Sequence, residues 1–225
     1  MSQTPSTTDR ICQAAIRTVT RDGLLAMTLD NVAKEAGVSK GGVMYHFPTK
    51  ELLVTGMLTH FGEQAERMLM TRIANDPEPR RRWARALLSC VFPEAAAPLA
   101  SANGVADDAM SPEIIQQFLL TIIAAAANNP GLVEPLRQVG SRMRDRLLSD
   151  PEDGFDQLLI WLAVDGLLLW QFVGLIDQSD PLFRQIGEAL RQKTAIAAPR
   201  SIPQRKTRKP AAAVVTKTKG GRRER

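Results

Sequence analysis

Residues 28–54 read TLDNVAKEAGVSKGGVMYHFPTKELLV, and this segment carries the clearest indication of the fold. Its first part predicts a short helix, because four apolar residues fall on one helix face: Leu29, Val32, Ala33 and Ala36. Thr28 is a suitable N-cap for this helix, since its hydroxyl can accept a hydrogen bond from a free backbone amide. Gly37 ends the helix, because glycine tolerates the positive φ that a tight turn needs.

A second short helix is predicted from Lys40 to Phe47. Ser39 can cap its beginning, and Pro48 ends it because the residue before a proline is disfavoured in helical geometry. Val38, between the two helices, is expected to fix their crossing angle as a buried plug. Two short helices joined by a tight turn that contains glycine form a helix-turn-helix unit, and this places the motif at about residues 29–48.

The beginning of the second helix suits contact with DNA. Free amides and the helix dipole beside Ser39 and Lys40 favour a phosphate or a base edge. Gly41 and Gly42 lack side chains, so the backbone can approach DNA closely, at a cost of about 1 kcal/mol each in helix propensity. We therefore predict that the second helix reads the major groove.

The quoted stretch strongly resembles the DNA-binding motif of the TetR family of repressors, and the resemblance extends over about residues 8–60. It implies that Thr28 and Lys50 contact DNA phosphates. It also implies that Lys40, Gly41 and Gly42 face the major groove, and that Tyr45 and His46 contact the groove edge and the DNA backbone. Because one short recognition helix reads only a few base pairs, we expect a two-fold dimer on a palindromic operator.

Met44 departs from the family pattern, because many members carry a tyrosine at this position and that tyrosine often holds the DNA backbone. We expect Met44 to pack inward or to touch a thymine methyl group. We include it, together with Ser39, among the candidate DNA-contacting residues.

The rest of the chain also has helical periodicity, and it predicts an all-α fold. We expect helices at about 8–22, 50–73, 80–93, 112–128, 132–149, 154–176 and 180–197, with a loop or irregular helix at 94–111. The domains predicted are an N-terminal three-helix helix-turn-helix domain (1–60), a larger helical effector-binding and dimerisation domain (61–199) and a disordered basic tail (200–225).

The segment from Leu158 to Ile176 is long and apolar enough for a membrane span. Against that, Asp165 lies mid-segment, where a charge costs about 2.5–3.5 kcal/mol on insertion scales. A helix that is apolar all round can instead be buried on every side. The family resemblance implies that 154–176 and 180–197 pair with the same helices of a second subunit, so we predict a homodimer and no membrane contact.

The net charge of +5 is unevenly distributed. Residues 200–225 hold ten lysines or arginines against one acid, so the rest of the chain carries a net charge of −4. The high overall basicity is therefore poor evidence that the folded part meets nucleic acid. The tail is either an electrostatic arm on DNA or an inert solubilising segment.

The resemblance implies a small-molecule effector in the larger domain, whose binding shifts the population away from the DNA-binding conformation. Candidate wall residues are Phe92, Phe118, Trp161, Asp165 and Trp170, although aromatic residues at helical spacing are also common in cores. The identity of the effector does not follow from the sequence. A cluster of Arg80, Arg81, Arg82 and Arg85 is interpreted as a solvated face or as an acid-binding mouth.

Other function classes find little support in the sequence. We find no nucleophile–base pair, metal-ligand spacing or cofactor loop, so we expect no catalytic residues, no metal and no cofactor. Cys12 and Cys90 are isolated, and the beginning of the chain does not look like a secretory signal, which suits a cytoplasmic protein. The resemblance to the TetR family implies a bacterial cytoplasm and a place at the nucleoid. The alternatives are an architectural protein that coats DNA and, with less support, an enzyme. Activation instead of repression also remains open.

Overall fold

Nine α-helices make up the part of the chain that this computed structural model describes, residues 5–92 and 112–194. In chain order they are α1 Thr7–Asp22, α2 Leu29–Ala36, α3 Lys40–His46, α4 Lys50–Asn75, α5 Arg82–Val91, α6 Pro112–Ala126, α7 Glu134–Leu148, α8 Gly154–Phe172 and α9 Pro181–Thr194. No strand occurs in these ranges, so the all-α prediction is confirmed. The predicted loop at 94–111, residues 195–197 of the last predicted helix and the tail at 200–225 lie outside the described residues.

Helices α1 to α4 share a hydrophobic core that holds the helix-turn-helix. α1 begins with a capping box, in which Ser6 accepts from the Asp9 amide and the Asp9 side chain accepts from the Ser6 amide. The buried residues of this core include Ile11, Val32, Val43 and Leu53, one from each of the four helices. α6 joins the same core through Phe118, whose ring packs 4.6 Å from that of Phe61.

A second core joins α5, α8 and α9. Phe92 and Phe183 stack here with their ring centroids 4.7 Å apart, and the buried side of α8 contributes Ile160 and Val164. A Cβ at Gly187 of α9 would overlap the Phe92 ring, so this close approach requires glycine. A third core lies between the end of α4, α5 and α7.

The beginning of α5 is held by residues that are distant in sequence. Its N-cap, Arg81, has φ 56° and gives no side-chain cap. Instead, the buried Gln157 of α8 accepts hydrogen bonds from the amides of Trp83 and Ala84, at 3.1 and 3.3 Å. α5 therefore depends on α8 for the capping that most helices obtain locally.

Three of the four arginines before and within α5 pair with acidic residues of the protein. Arg85 donates to the buried Asp76 at 2.7 Å, and Arg80 and Arg81 lie 3.4 and 3.6 Å from the buried Asp153. Arg82 is exposed. The interpretation as a solvated face is therefore wrong for Arg85, whose guanidinium joins α5 to the segment after α4.

Helix α8 has one buried face and one exposed apolar face. The exposed face follows helical spacing and consists of Phe155, Leu159, Leu162, Leu169 and Trp170, with Val173 just beyond the end of the helix. Among the described helices, α8 alone is long and apolar enough to cross a membrane, and 22% of its most apolar stretch is buried. It ends at Phe172 and not at 176, because Gly174 adopts a positive φ of 71° and closes the helix end.

Asp165 is a polar residue in this apolar helix. Asp165 is exposed, but the apolar surroundings partly desolvate its carboxyl group and raise the pKa from the ordinary 3.8 to about 6, and a hydrogen bond with Trp161 opposes the shift. The folded protein therefore binds this proton more tightly than the unfolded chain does.

The raised pKa predicts a pH dependence of stability. Well below pH 3.8 the carboxyl group is protonated in both states, and the stability that its protonation contributes is lost as the pH rises from about 3.8 to about 6. The free energy of unfolding of Asp165→Asn, relative to that of the wild type, should therefore increase as the pH rises between these values. Above them the difference should stay constant. Urea denaturation of both proteins, at equal concentration over this range, measures the difference; a difference independent of pH would contradict the assignment.

Candidate nucleic-acid interface

The turn between α2 and α3 has the geometry of a helix-turn-helix. Thr28 caps α2 by accepting from the Asn31 amide, and the Asn31 side chain accepts from the Thr28 amide in return. Gly37 adopts the left-handed conformation, with φ 66° and ψ 38°. Val38, which follows it, is half-buried and not the fully buried plug expected from the sequence. Ser39 then caps α3 by accepting from the Gly42 amide at 3.0 Å.

Three arginines of α1 bind residues of α2 in the helix-turn-helix. Arg10 donates to the carbonyl oxygen of Ala36 at 2.8 Å, at the point where α2 ends. Arg17 and Arg21 both bind Glu35 of α2, at 2.9 and 3.1 Å. The two guanidinium groups hold the pKa of the Glu35 carboxyl below its usual range through hydrogen bonds and Coulomb attraction. These contacts fix the angle at which α2 presents α3.

Helix α3 buries Val43 and exposes most of its other residues. Tyr45 is 84% exposed and Met44 is 44% exposed. The expectation that Met44 packs inward is therefore wrong, and contact with a partner molecule is the alternative that remains. Lys40 is also exposed, and its ammonium lies 2.9 Å from the carboxylate of Asp30 in α2.

The two glycines of α3 are not required by the packing of the protein. A Cβ at Gly41 would meet only the Ser39 hydroxyl oxygen, at 3.8 Å, and one at Gly42 would lie 3.4 Å from that oxygen and 3.7 Å from Val38. Both lie in a right-handed helix, where alanine would be more stable by about 1 kcal/mol. The bare backbone at this surface therefore points to close approach by something outside the chain.

Two further candidate residues make contacts within the protein. Lys50, at the beginning of α4, donates to the carbonyl oxygen of Leu25 at 3.1 Å. The Nδ1 atom of His46 lies 3.2 Å from the hydroxyl oxygen of Thr8 in α1. The Tyr45 and His46 rings meet edge to face, with their centroids 5.1 Å apart. The candidate DNA-contacting residues thus comprise residues of α3, its N-cap Ser39 and the helix-end residues Thr28 and Lys50, and each of them is exposed or half-buried.

Gly56 of α4 positions α3, and sequence reasoning missed it. Phe47 is buried against α4 directly after α3, and a Cβ at Gly56 would overlap the Phe47 ring. The signal available in the sequence was a glycine in the interior of a helix, where it lowers helix propensity and usually has a packing reason.

We predict that Gly56→Ala destabilises the protein, because overpacking against Phe47 costs about 1–3 kcal/mol and exceeds the gain in helix propensity. Affinity for DNA should fall as well, since the end of α3 is displaced. Gly140→Ala is the matched control, because a Cβ at Gly140 in α7 meets nothing within 4 Å. This substitution should stabilise the protein. Thermal unfolding measures both changes, and equal effects of the two substitutions would refute the assigned packing role.

The five candidate effector-contacting residues lie in different surroundings. Phe118 belongs to the core of α1 to α4, and Phe92 belongs to the core of α5, α8 and α9. Trp161 packs against the third core, whereas Trp170 is 48% exposed and Asp165 lies on α8 between them. Their grouping into one cavity wall stays a prediction.

A cleft of about 550 Å³ lies between the α1–α2 loop, the beginning of α4 and the beginning of α7. Its walls include Leu25, Lys50, Leu132 and Pro135, and none of the five candidate effector-contacting residues lines it. Within the described part of the chain, no group of three His, Cys, Asp or Glu residues is placed to hold a metal ion.

A capped helix pair with a left-handed glycine between its helices and an exposed, glycine-containing second helix defines the class of helix-turn-helix DNA-binding proteins. Two family models match the chain within this class. The model of bacterial regulatory proteins of the tetR family matches residues 11–57, and the model of the tetracyclin repressor-like C-terminal domain matches residues 81–195.

The chain belongs to the TetR family, and it is a DNA-binding transcriptional regulator. No curated protein sequence matches it. Solved structures with the same fold include a transcriptional regulator from Rhodococcus sp. Rha1, with 25% identity and a TM-score of 0.55 over 84% of this chain and 94% of that one. A TetR-family member from Streptomyces coelicolor A3 has 22% identity and a TM-score of 0.58, over 85% of this chain and 100% of that one.

The multidrug binding protein EbrR, solved in complex with ethidium, also has this fold. It shares 20% identity with this chain and has a TM-score of 0.56, over 85% of this chain and 100% of that one. At this identity the likeness concerns the fold alone.

Proposed function

We propose that this regulator is a repressor that binds a palindromic operator as a homodimer and is released by a small-molecule effector. The observation that carries the proposal is the exposed side of α3, where two glycines serve no packing purpose and Tyr45 is 84% exposed. An α-helix of this kind fits the major groove. The protein would act in the bacterial cytoplasm, at the nucleoid.

The DNA contacts that we propose divide into two groups. Thr28, His46 and Lys50 lie at helix ends and would hold phosphates, which fixes the position of the protein on the duplex. The residues of α3 and its cap would meet the groove: Ser39, Lys40, Gly41, Gly42, Met44 and Tyr45. The part of the chain up to residue 52 holds six basic and five acidic residues, so binding rests on placed contacts more than on bulk charge.

The homodimer would form through α8 and α9. The exposed apolar face of α8 supports this, because a large apolar patch on a soluble protein marks an interaction site. Leu175 and Leu182, 67% and 46% exposed, extend the patch towards α9. A two-fold dimer would present two copies of α3 to successive major grooves, which matches the symmetry of a palindrome.

The effector would act by population shift, favouring a conformation in which the two α3 helices no longer match the groove spacing. Support comes from EbrR, which is similar in fold and binds ethidium and proflavin. Operator binding measured against a panel of small apolar and cationic compounds tests this part. Release by at least one compound is expected, and a protein that no compound releases would contradict the sensor model.

We propose that the division at about residue 60 separates the DNA-binding domain from the effector-binding and dimerisation domain. We further propose that the tail at 200–225, with ten basic residues and one acid, adds affinity for DNA without sequence preference.

Deleting 200–225 should flatten the salt dependence of operator binding, since log Kd changes by about 0.9 per decade of salt for each phosphate contact. The ratio of operator to non-operator affinity should not fall. Fluorescence anisotropy over a salt series measures both quantities. An unchanged salt slope would leave the tail as a solubilising segment only.

Simple experiments distinguish the proposed repressor from two other functions. An architectural protein that coats DNA would protect long regions from nuclease, whereas a repressor protects one discrete site. An enzyme would turn over a substrate in a screen of the purified protein. Whether the protein represses or activates depends on where the operator lies relative to the promoter. A reporter assay shows whether expression falls or rises when the protein is present.

A further inference from the structure

Thr8, in the first turn of α1, contacts the end of the recognition helix. Its hydroxyl oxygen lies 3.2 Å from Nδ1 of His46, 38 residues further along the chain. The hydroxyl has no part in the capping box of α1, which uses Ser6 and Asp9. Thr8 is also exposed. The contact with His46 is therefore separate from the start of α1 and from its buried face.

The His46 ring has two neighbours that restrict it. Thr8 lies at Nδ1, and the ring of Tyr45 meets the imidazole edge to face, at 5.1 Å and an angle of 86°. Helix α3 has only seven residues, two of them glycine, so its last turn has little stability of its own. Contacts from outside α3 are needed to hold these two side chains in one arrangement.

We propose that Thr8 is a positioning residue for DNA binding: its hydroxyl donates to Nδ1 of His46 and sets the imidazole as a donor for DNA. A neutral imidazole that accepts at Nδ1 carries its proton on Nε2, and that N–H can donate to a phosphate oxygen. The same hydrogen bond keeps the His46 ring in its edge-to-face contact with the Tyr45 ring. The inference rests on the proposed DNA contacts of these two residues.

The test uses the full-length protein and a double-mutant cycle on operator affinity. Thr8→Val keeps the shape of the side chain and removes the hydroxyl, whereas Thr8→Ser keeps the hydroxyl. We expect Thr8→Val to weaken operator binding about 3- to 10-fold, the worth of one net hydrogen bond, and Thr8→Ser to bind like the wild type. In a His46→Ala background, Thr8→Val should have no further effect.

Thr7→Val is the matched control, because it makes the same change one position earlier in α1 and should leave operator binding unaltered. Thermal unfolding is recorded for every variant, and a loss of affinity that follows a loss of stability would overturn the proposal. An equal loss from Thr8→Val with and without His46 would overturn it too. If His46→Ala and Tyr45→Ala both bind the operator normally, the proposed reading of DNA fails together with this inference. If those two variants lose binding and Thr8→Val does not, only the role of Thr8 fails.

Discussion

Gly42→Glu should abolish operator binding while leaving the protein folded and dimeric. A Cβ at this position makes contacts of 3.4 Å and longer, and glutamate favours a helix over glycine, so α3 can accept the side chain. On DNA, the carboxylate would occupy the space where the backbone approaches the duplex. A charge placed against phosphates costs several kcal/mol, so we expect at least an approximately 100-fold loss of affinity.

Two variants separate the effect of size from the effect of charge in this loss. Gly42→Gln has nearly the same size without the charge, and its smaller loss measures the steric part. Gly140→Glu puts the same charge on α7, where a Cβ meets nothing within 4 Å, and should bind the operator nearly as the wild type does. Tyr45→Ala should also lose operator binding. Anisotropy titrations give the affinities, and normal binding by Gly42→Glu would show that α3 is not the reading helix.

Gly166→Glu should convert the proposed dimer to a folded monomer. Gly166 lies on the exposed apolar face of α8, beside Leu162 and Trp170, and a Cβ there meets nothing within 4 Å in the single chain. The monomer should gain about 0.5–1 kcal/mol in helix stability from the loss of glycine. In the proposed dimer, an unpaired carboxylate would be buried between apolar faces, so association should weaken at least about 100-fold.

Sedimentation equilibrium measures this change, and circular dichroism checks that the helices remain. Operator affinity should fall together with the dimer, because two half-sites are no longer bound at once. Gly140→Glu again serves as the control for charge and should remain dimeric. A fully dimeric Gly166→Glu would show that α8 does not lie in the subunit interface.

The helix-turn-helix could be predicted closely because its signals are local. α2 runs from Leu29 to Ala36 and α3 begins at Lys40, as expected from the sequence, since Thr28, Gly37 and Ser39 mark these ends within one or two residues. The pairing of 154–176 with a second subunit stays a prediction, since the single chain shows only that one face of α8 is apolar and exposed.

The features that were missed depend on contacts between distant residues. α5 begins at Arg82 and not at 80, and its first amides are capped by Gln157, more than 70 residues away. The sequence also contains no local signal for the ion pair of Arg85 with Asp76, or for the hydrogen bond of His46 with Thr8. Tertiary hydrogen bonds of this kind are chosen by packing, which one-dimensional periodicity does not describe.

Selection of bound duplexes from a random DNA pool by the full-length protein, with Gly42→Glu as the parallel control, tests whether two copies of α3 read a palindromic operator. We expect an enriched inverted repeat whose half-sites lie about one helical turn apart, 10–10.5 base pairs or a multiple of it, and no enrichment by the control. An enriched site without two-fold symmetry, or a pool that stays random with the wild type, would contradict this expectation.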